Sequence, residues 1–143
     1  MKHTERIELI VSCVACLSAA TVGAAAADFD GTWHGRLTCA KLSFTKGTQN
    51  VPIEMTVSGT SVSFSRQVYN PDNTAVVGTE QGSGTVSATG AVSLSSSWKG
   101  NRSAYTASYS GTLSAKGGTL RGTQNWTLDG KAESRSCSIA LRR

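Results

Sequence analysis

From Trp33 onward the chain alternates between apolar and polar side chains. Trp33, Gly35, Leu37 and Cys39 share one parity, and Val51, Ile53, Met55 and Val57 share another, with Glu54 and Thr56 opposite. Period-two alternation of this kind predicts short strands that bury one face. It recurs at Val62, Phe64, Arg66 and Val68, and at Val92, Leu94, Ser96 and Trp98. Further along it recurs at Tyr105, Ala107, Tyr109, Gly111 and Leu113, then at Leu120, Gly122, Gln124, Trp126 and Leu128, and last at Cys137, Ile139 and Leu141. One more strand is expected around Val77 to Val86, where the sequence is polar and glycine-rich and the alternation faintest. Between these stretches lie "KGTQN", "SGTS", "NPDN", "ATG", "KGN", "AKGG" and "DGK", whose residues begin turns or accept positive φ. No amphipathic helix is expected after the first 27 residues. The pattern predicts an all-β fold, an eight-stranded antiparallel up-and-down barrel.

The segment ahead of this pattern is of a different kind. "MKHTER" carries Lys2 and Arg6, and "IELIVSCVACLSAATVGAAAA" is almost wholly apolar or small. A charged start, an apolar run and a small-residue end predict a cleaved secretory signal peptide over residues 1–27, with a single β-barrel domain over 28–143. An uncleaved anchor and acylation at Cys13 are the other readings of this segment. Glu8 within the apolar run and the alanine run at its end favour cleavage. The expected location is secreted or periplasmic, with no membrane span after cleavage.

Removal of the leader would leave Cys39 and Cys137. In an exported chain two cysteines predict one disulfide. Cys39 lies in the first strand and Cys137 in the last, and those strands are neighbours only if the sheet closes on itself. Both cysteines have inward parity, so a bridge between them would tie the seam of a closed barrel.

At this point particular stretches carry a resemblance. "GTWHGRL", "WKGNRSAYTASYSG" and "TQNWTLDGKAES" resemble, in order and rough spacing, segments of the avidin and streptavidin family. The resemblance implies an eight-stranded barrel that binds a small molecule, biotin, at one open end. It places Trp98, Tyr109 and Trp126 at the family's pocket aromatics. The family's polar partners for biotin are largely replaced: its first-strand Asn and Ser correspond to Gly35 and Cys39, and no Asp follows Glu133. An aromatic-ended barrel is therefore expected, without the hydrogen bonds that tight biotin binding needs.

Trp98, Tyr105, Tyr109, Gln124 and Trp126 are candidate ligand-binding residues, since large aromatics with a few polar groups line small-molecule sites. The alternative is that they fill a barrel built mostly of small residues. Arg66 is a sixth candidate. On inward parity it requires a carboxylate or an anionic ligand, whereas a bulge or a rim position would turn it to solvent. His34 is the sole histidine after the leader and stands on the outward face. With the cysteines consumed it builds no metal site, and neither a cofactor nor a metal is expected. No "GxSxG" elbow occurs, and the acids Asp28, Asp30, Glu54, Asp72, Glu80, Asp129 and Glu133 are expected mostly in turns or on outward faces. An enzyme is not expected.

The chain carries a formal charge of +5, with no basic stripe. That gives a mild preference for anionic partners and no expectation of nucleic-acid binding. The expected function is a non-enzymatic binding protein that holds a small ligand in the barrel's aromatic end. The alternative is an inhibitor or envelope interaction protein that uses loops on the barrel rim against a protease or an anionic glycan. The build and size resemble the small single-disulfide barrels of bacterial lysozyme and protease inhibitors. A lysozyme target is disfavoured because both proteins would be basic.

Overall fold

Each alternating stretch forms a strand. β1 spans Gly31–Cys39, β2 Gln49–Ser58, β3 Ser61–Tyr69, β4 Val76–Val86, β5 Ala91–Lys99, β6 Ser103–Leu113, β7 Gly117–Leu128 and β8 Lys131–Arg142. The computed structural model describes residues 28–143, so the expected leader over 1–27 lies outside the described residues. The strands close in sequence order into one antiparallel barrel. Across the closing seam Leu37 faces Ile139 and Cys39 faces Cys137. The two cysteines form a disulfide with their Cα atoms 4.0 Å apart.

Alternation becomes burial directly. In β5, Val92, Leu94, Ser96 and Trp98 are buried while Ser93, Ser95, Ser97 and Lys99 face out. The outer surface of this strand is thus polar, the reverse of a barrel that faces lipid. No helix among the described residues is long and apolar enough to cross a membrane. The turn between β7 and β8 is just Asp129-Gly130, with φ of 49° and 78°. Two left-handed residues form the tight hairpin turn that matches strand twist, and this explains "DG" at that point.

The interior has layers. At the end that carries the β2–β3, β4–β5 and β6–β7 turns, Trp33, Met55, Val62, Phe64, Leu113, Leu120 and Leu141 make an apolar plug. Phe29 covers it, and its carbonyl accepts a hydrogen bond from Trp33 Nε1 at 2.9 Å. The Phe64 ring lies over Gly82, where a Cβ would collide with it. In the middle of the barrel the interior turns polar, with Arg66, Glu80, Ser96, Gln124 and Arg135 all buried. Above them aromatic rings line the opposite end.

Two expectations are corrected by this layer. Glu80 does not face outward: it is fully buried, directly across the β3–β4 ladder from Arg66. The last strand begins at Lys131 rather than at Cys137, which brings Arg135 into the barrel on the same parity as Cys137, Ile139 and Leu141. Arg66 itself points inward, and the bulge comes later and on the neighbouring strand: Val68 and Tyr69 face Gly78 and Val76, which leaves Val77 of β4 as the extra residue.

Candidate functional site

The β1–β2, β3–β4, β5–β6 and β7–β8 connections gather at one end and surround a cavity of about 560 Å³. Its apolar walls are Phe44, Tyr69, Trp98 and Trp126, and Gln49 and Arg135 contribute its buried polar groups. The β4–β5 ladder begins only at Gln81 opposite Ser97, so β4 and β5 separate above it. Trp98 occupies that separation, and Gly78 leaves room for its indole.

Trp126 is the hub of the aromatic wall. Its ring centroid lies 4.3 Å from Tyr105, 6.1 Å from Trp98 and 5.8 Å from Phe44. Its Nε1 donates to Gln124 Oε1 at 3.0 Å, which fixes the indole plane. Phe44 is brought over it by the loop 40–48. Ser43 anchors that loop by donating its N–H and hydroxyl to Glu133 on β8, at 2.8 and 2.5 Å. Those hydrogen bonds also hold the exposed Glu133 carboxyl below the usual carboxylate range.

Beneath the wall lie two connected polar groups. Arg66 forms a close ion pair through Nε with Glu80 Oε2. Neither atom has a further hydrogen-bond partner among the described residues, so each compensates the other. Glu80 Oε1 accepts from the Ser96 hydroxyl at 2.5 Å, and Arg66 Nη2 donates to the Tyr105 hydroxyl at 3.0 Å. In the second group Arg135 donates from Nε and Nη2 to Gln124 Oε1, at 2.9 and 2.7 Å, and from Nη2 to Gln49 Oε1 at 2.6 Å. Its guanidinium carbon stands 5.4 Å from the Trp126 ring centre, within cation–π range. Gln124 Nε2 in turn donates to the Tyr109 hydroxyl at 2.9 Å.

Of the residues singled out in the sequence, Trp98 and Trp126 line the cavity. Tyr105, Tyr109, Gln124 and Arg66 lie below it, in the floor that fixes those rings. The structure adds Phe44, Gln49, Tyr69 and Arg135 to the lining. Gln49 and Arg135 extend the inward parity of their strands by one step and could have been read from it. Phe44 lies in a connection, and Tyr69, the last residue of β3, stands on that strand's outward parity beside the bulge of β4, so alternation does not mark it. His34 stands outside the barrel with its Nδ1 3.4 Å from Glu54, both side chains largely exposed.

Burial sets the ionisation of the floor. It pushes the Tyr109 phenol up to about 12 and raises Tyr105 as well. It lowers Arg135 to about 10, and the like charge of Arg66 adds to that. A phenol with a raised pKa supports the fold fully below its ordinary value of 10.0 and loses that support as the pH climbs toward about 12. Arg135 acts in the opposite sense over the same range, since above about 10 the unfolded chain holds that proton more firmly. Two phenols against one guanidinium give a net fall in stability on the alkaline side. An alkaline titration followed at the phenolate absorbance is expected to show Tyr105 and Tyr109 ionising together with loss of near-ultraviolet circular dichroism. Ionisation of both near their ordinary value with the fold intact would show that these phenols are not buried.

Comparison of the chain with protein-family models, with curated proteins and with solved structures finds no match.

Proposed function

We propose that this barrel is an exported, non-enzymatic binding protein that holds a small molecule in its open, aromatic-lined end. The observation that carries this reading is the cavity itself. At about 560 Å³ it is of the size that takes small ligands, and buried aromatics with a few convergent polar groups form its walls. The bridge between Cys39 and Cys137 supports an oxidising compartment, secreted or periplasmic. Strand number, topology and the short motifs around Trp33, Trp98 and Trp126 support kinship with avidin-like barrels. The replaced polar positions argue against biotin as the ligand.

The test is thermal melting of the oxidised protein against a small-molecule panel that includes biotin. Saturation at a hundredfold over Kd adds about 2.7 kcal/mol. Trp126→Ala is expected to abolish the shift. Phe44→Ala, in a loop and only partly buried, is expected to weaken it with little loss of fold. No shift with any compound would return the rings to the role of core.

A second reading has its own observation. Val76 and Val77, at the start of β4, are 49% and 47% exposed and are the large apolar side chains left in solvent among the described residues. They sit on the rim, where a protein or glycan partner of an inhibitor would dock. Val77 also lines the cavity whereas Val76 does not, so binding of that kind is expected to survive Trp126→Ala and to weaken in Val76→Ser.

A further inference from the structure

The barrel interior holds one more positive charge than negative. Its buried charged residues, among those described, are Arg66, Glu80 and Arg135. Arg66 and Glu80 neutralise each other. Arg135, only 4% exposed, has no carboxylate partner among the described residues: its acceptors are the neutral amide oxygens of Gln49 and Gln124. The nearby phenols do not supply the missing anion, because burial keeps both protonated. A buried cation without a counter-charge is unfavourable unless something else brings one.

What brings it is indicated by the cavity that Arg135 lines. The protein acceptors engage Nε and Nη2, which leaves both Nη1 protons without a protein acceptor among the described residues. Among the described residues the cavity lining contains Arg135, Lys99 and Arg102 and no Asp or Glu. Arg102 is already matched by Asp129, at 2.6 and 2.8 Å. Lys99 forms no ion pair among the described residues and stands exposed at the rim, a charge that would draw an anion inward.

The geometry points to an organic monocarboxylate as the occupant of this cavity, with its apolar, planar body among Phe44, Tyr69, Trp98 and Trp126 and its carboxylate on the free Nη1 of Arg135. One excess buried charge matches one negative charge, and a dianion such as a phosphate monoester would overshoot it. Nη1 offers a carboxylate oxygen a charge-assisted hydrogen bond, which is shorter and stronger than one to a neutral acceptor. This inference rests on the reading of the cavity as a ligand site and names the class of ligand.

Matched pairs test it in the intact oxidised protein: benzoate, naphthalene-2-carboxylate and indole-3-acetate, each against its own primary amide, by calorimetric titration. At least one carboxylate is expected to bind tenfold or more tightly than its amide. The Arg135 guanidinium resonances should shift with that carboxylate and stay unmoved by the amide. Arg135→Gln is expected to erase the preference, and Lys99→Ala to leave it in place. Should Arg135→Gln fail to fold, the resonance shift in the unaltered protein decides the question. Equal binding of carboxylates and amides would overturn the anion assignment and leave the cavity as a neutral ligand site. A preference that disappears in Lys99→Ala would move the anion to the rim and equally overturn it. No binding by either member of any pair, together with no shift across the neutral panel, would overturn the ligand site itself.

Discussion

Glu80→Gln is expected to destabilise the barrel by about 3–5 kcal/mol, the range found when one partner of a buried ion pair is removed. The substitution conserves shape, so the loss belongs to charge rather than to a cavity. Arg66 is 5% exposed, and its Nε has Glu80 Oε2 as sole compensation. With a neutral amide opposite, the guanidinium would be a buried cation facing a second one, Arg135, on the other side of the floor. For a domain of this size the melting point should fall by roughly 10 °C or more. Arg66→Met/Glu80→Leu removes both charges and is expected to recover at least half of the loss. Recovery would be incomplete, because Tyr105 and Ser96 lose their partners. Melting curves of the single and double variants decide the matter. A single variant within 1 kcal/mol of the unaltered protein, or a double variant no better than the single, would show that water reaches this pair.

The barrel was legible because alternation and turn chemistry agree from end to end. Where large side chains occupy the inward positions, as at Val92, Leu94 and Trp98, parity alone locates the strand and its buried face. β4 was hardest to read because Gly78, Gly82 and Gly84 stand at inward positions and have no side chain to mark them. Their smallness has a cause elsewhere in the fold. Phe64 covers Gly82 and Trp98 crowds Gly78, so the glycines are shaped by rings on neighbouring strands. The glycines hide the inward position of Glu80 for the same reason, although Val86 shares its parity and Arg66 lies opposite. An inward Arg requires an acid, and the adjacent strand supplies it directly across the ladder. The cavity was only half legible. Trp98 and Trp126 end alternating strands, whereas Phe44 reaches the site through a loop held by Ser43 and Glu133, residues 90 positions apart. No local pattern records a contact of that span.

Opening the disulfide is expected to be the other large loss. Cys39 and Cys137 are 98 residues apart in sequence, and a cross-link closing a loop of that length restricts the unfolded chain by about 4–5 kcal/mol in the loop-entropy account. Domains of this kind have only about 5–15 kcal/mol in total. Cys39→Ser/Cys137→Ser should therefore melt roughly 15 °C or more below the oxidised protein. The unaltered protein in excess dithiothreitol should melt with the variant. Position matters as well as loop length. The β1–β8 ladder runs from His34 opposite Arg142 to Cys39 opposite Cys137, so the bridge stands at the cavity end of the closing seam. Immediately beyond it, Ala40 N–H donates to the Ser136 carbonyl at 2.9 Å and the Ser43–Glu133 contacts hold Phe44 over Trp126. Releasing the bridge frees the seam at the point where the loop 40–48 departs. Below the melting point, reduction should accordingly raise amide exchange in β1 and that loop first, while β6 and β7, zipped along their whole length, exchange last. Uniform exchange in all strands would mean that the bridge acts on the unfolded chain alone. A loss below 1 kcal/mol in the double variant would mean that backbone pairing closes the seam unaided.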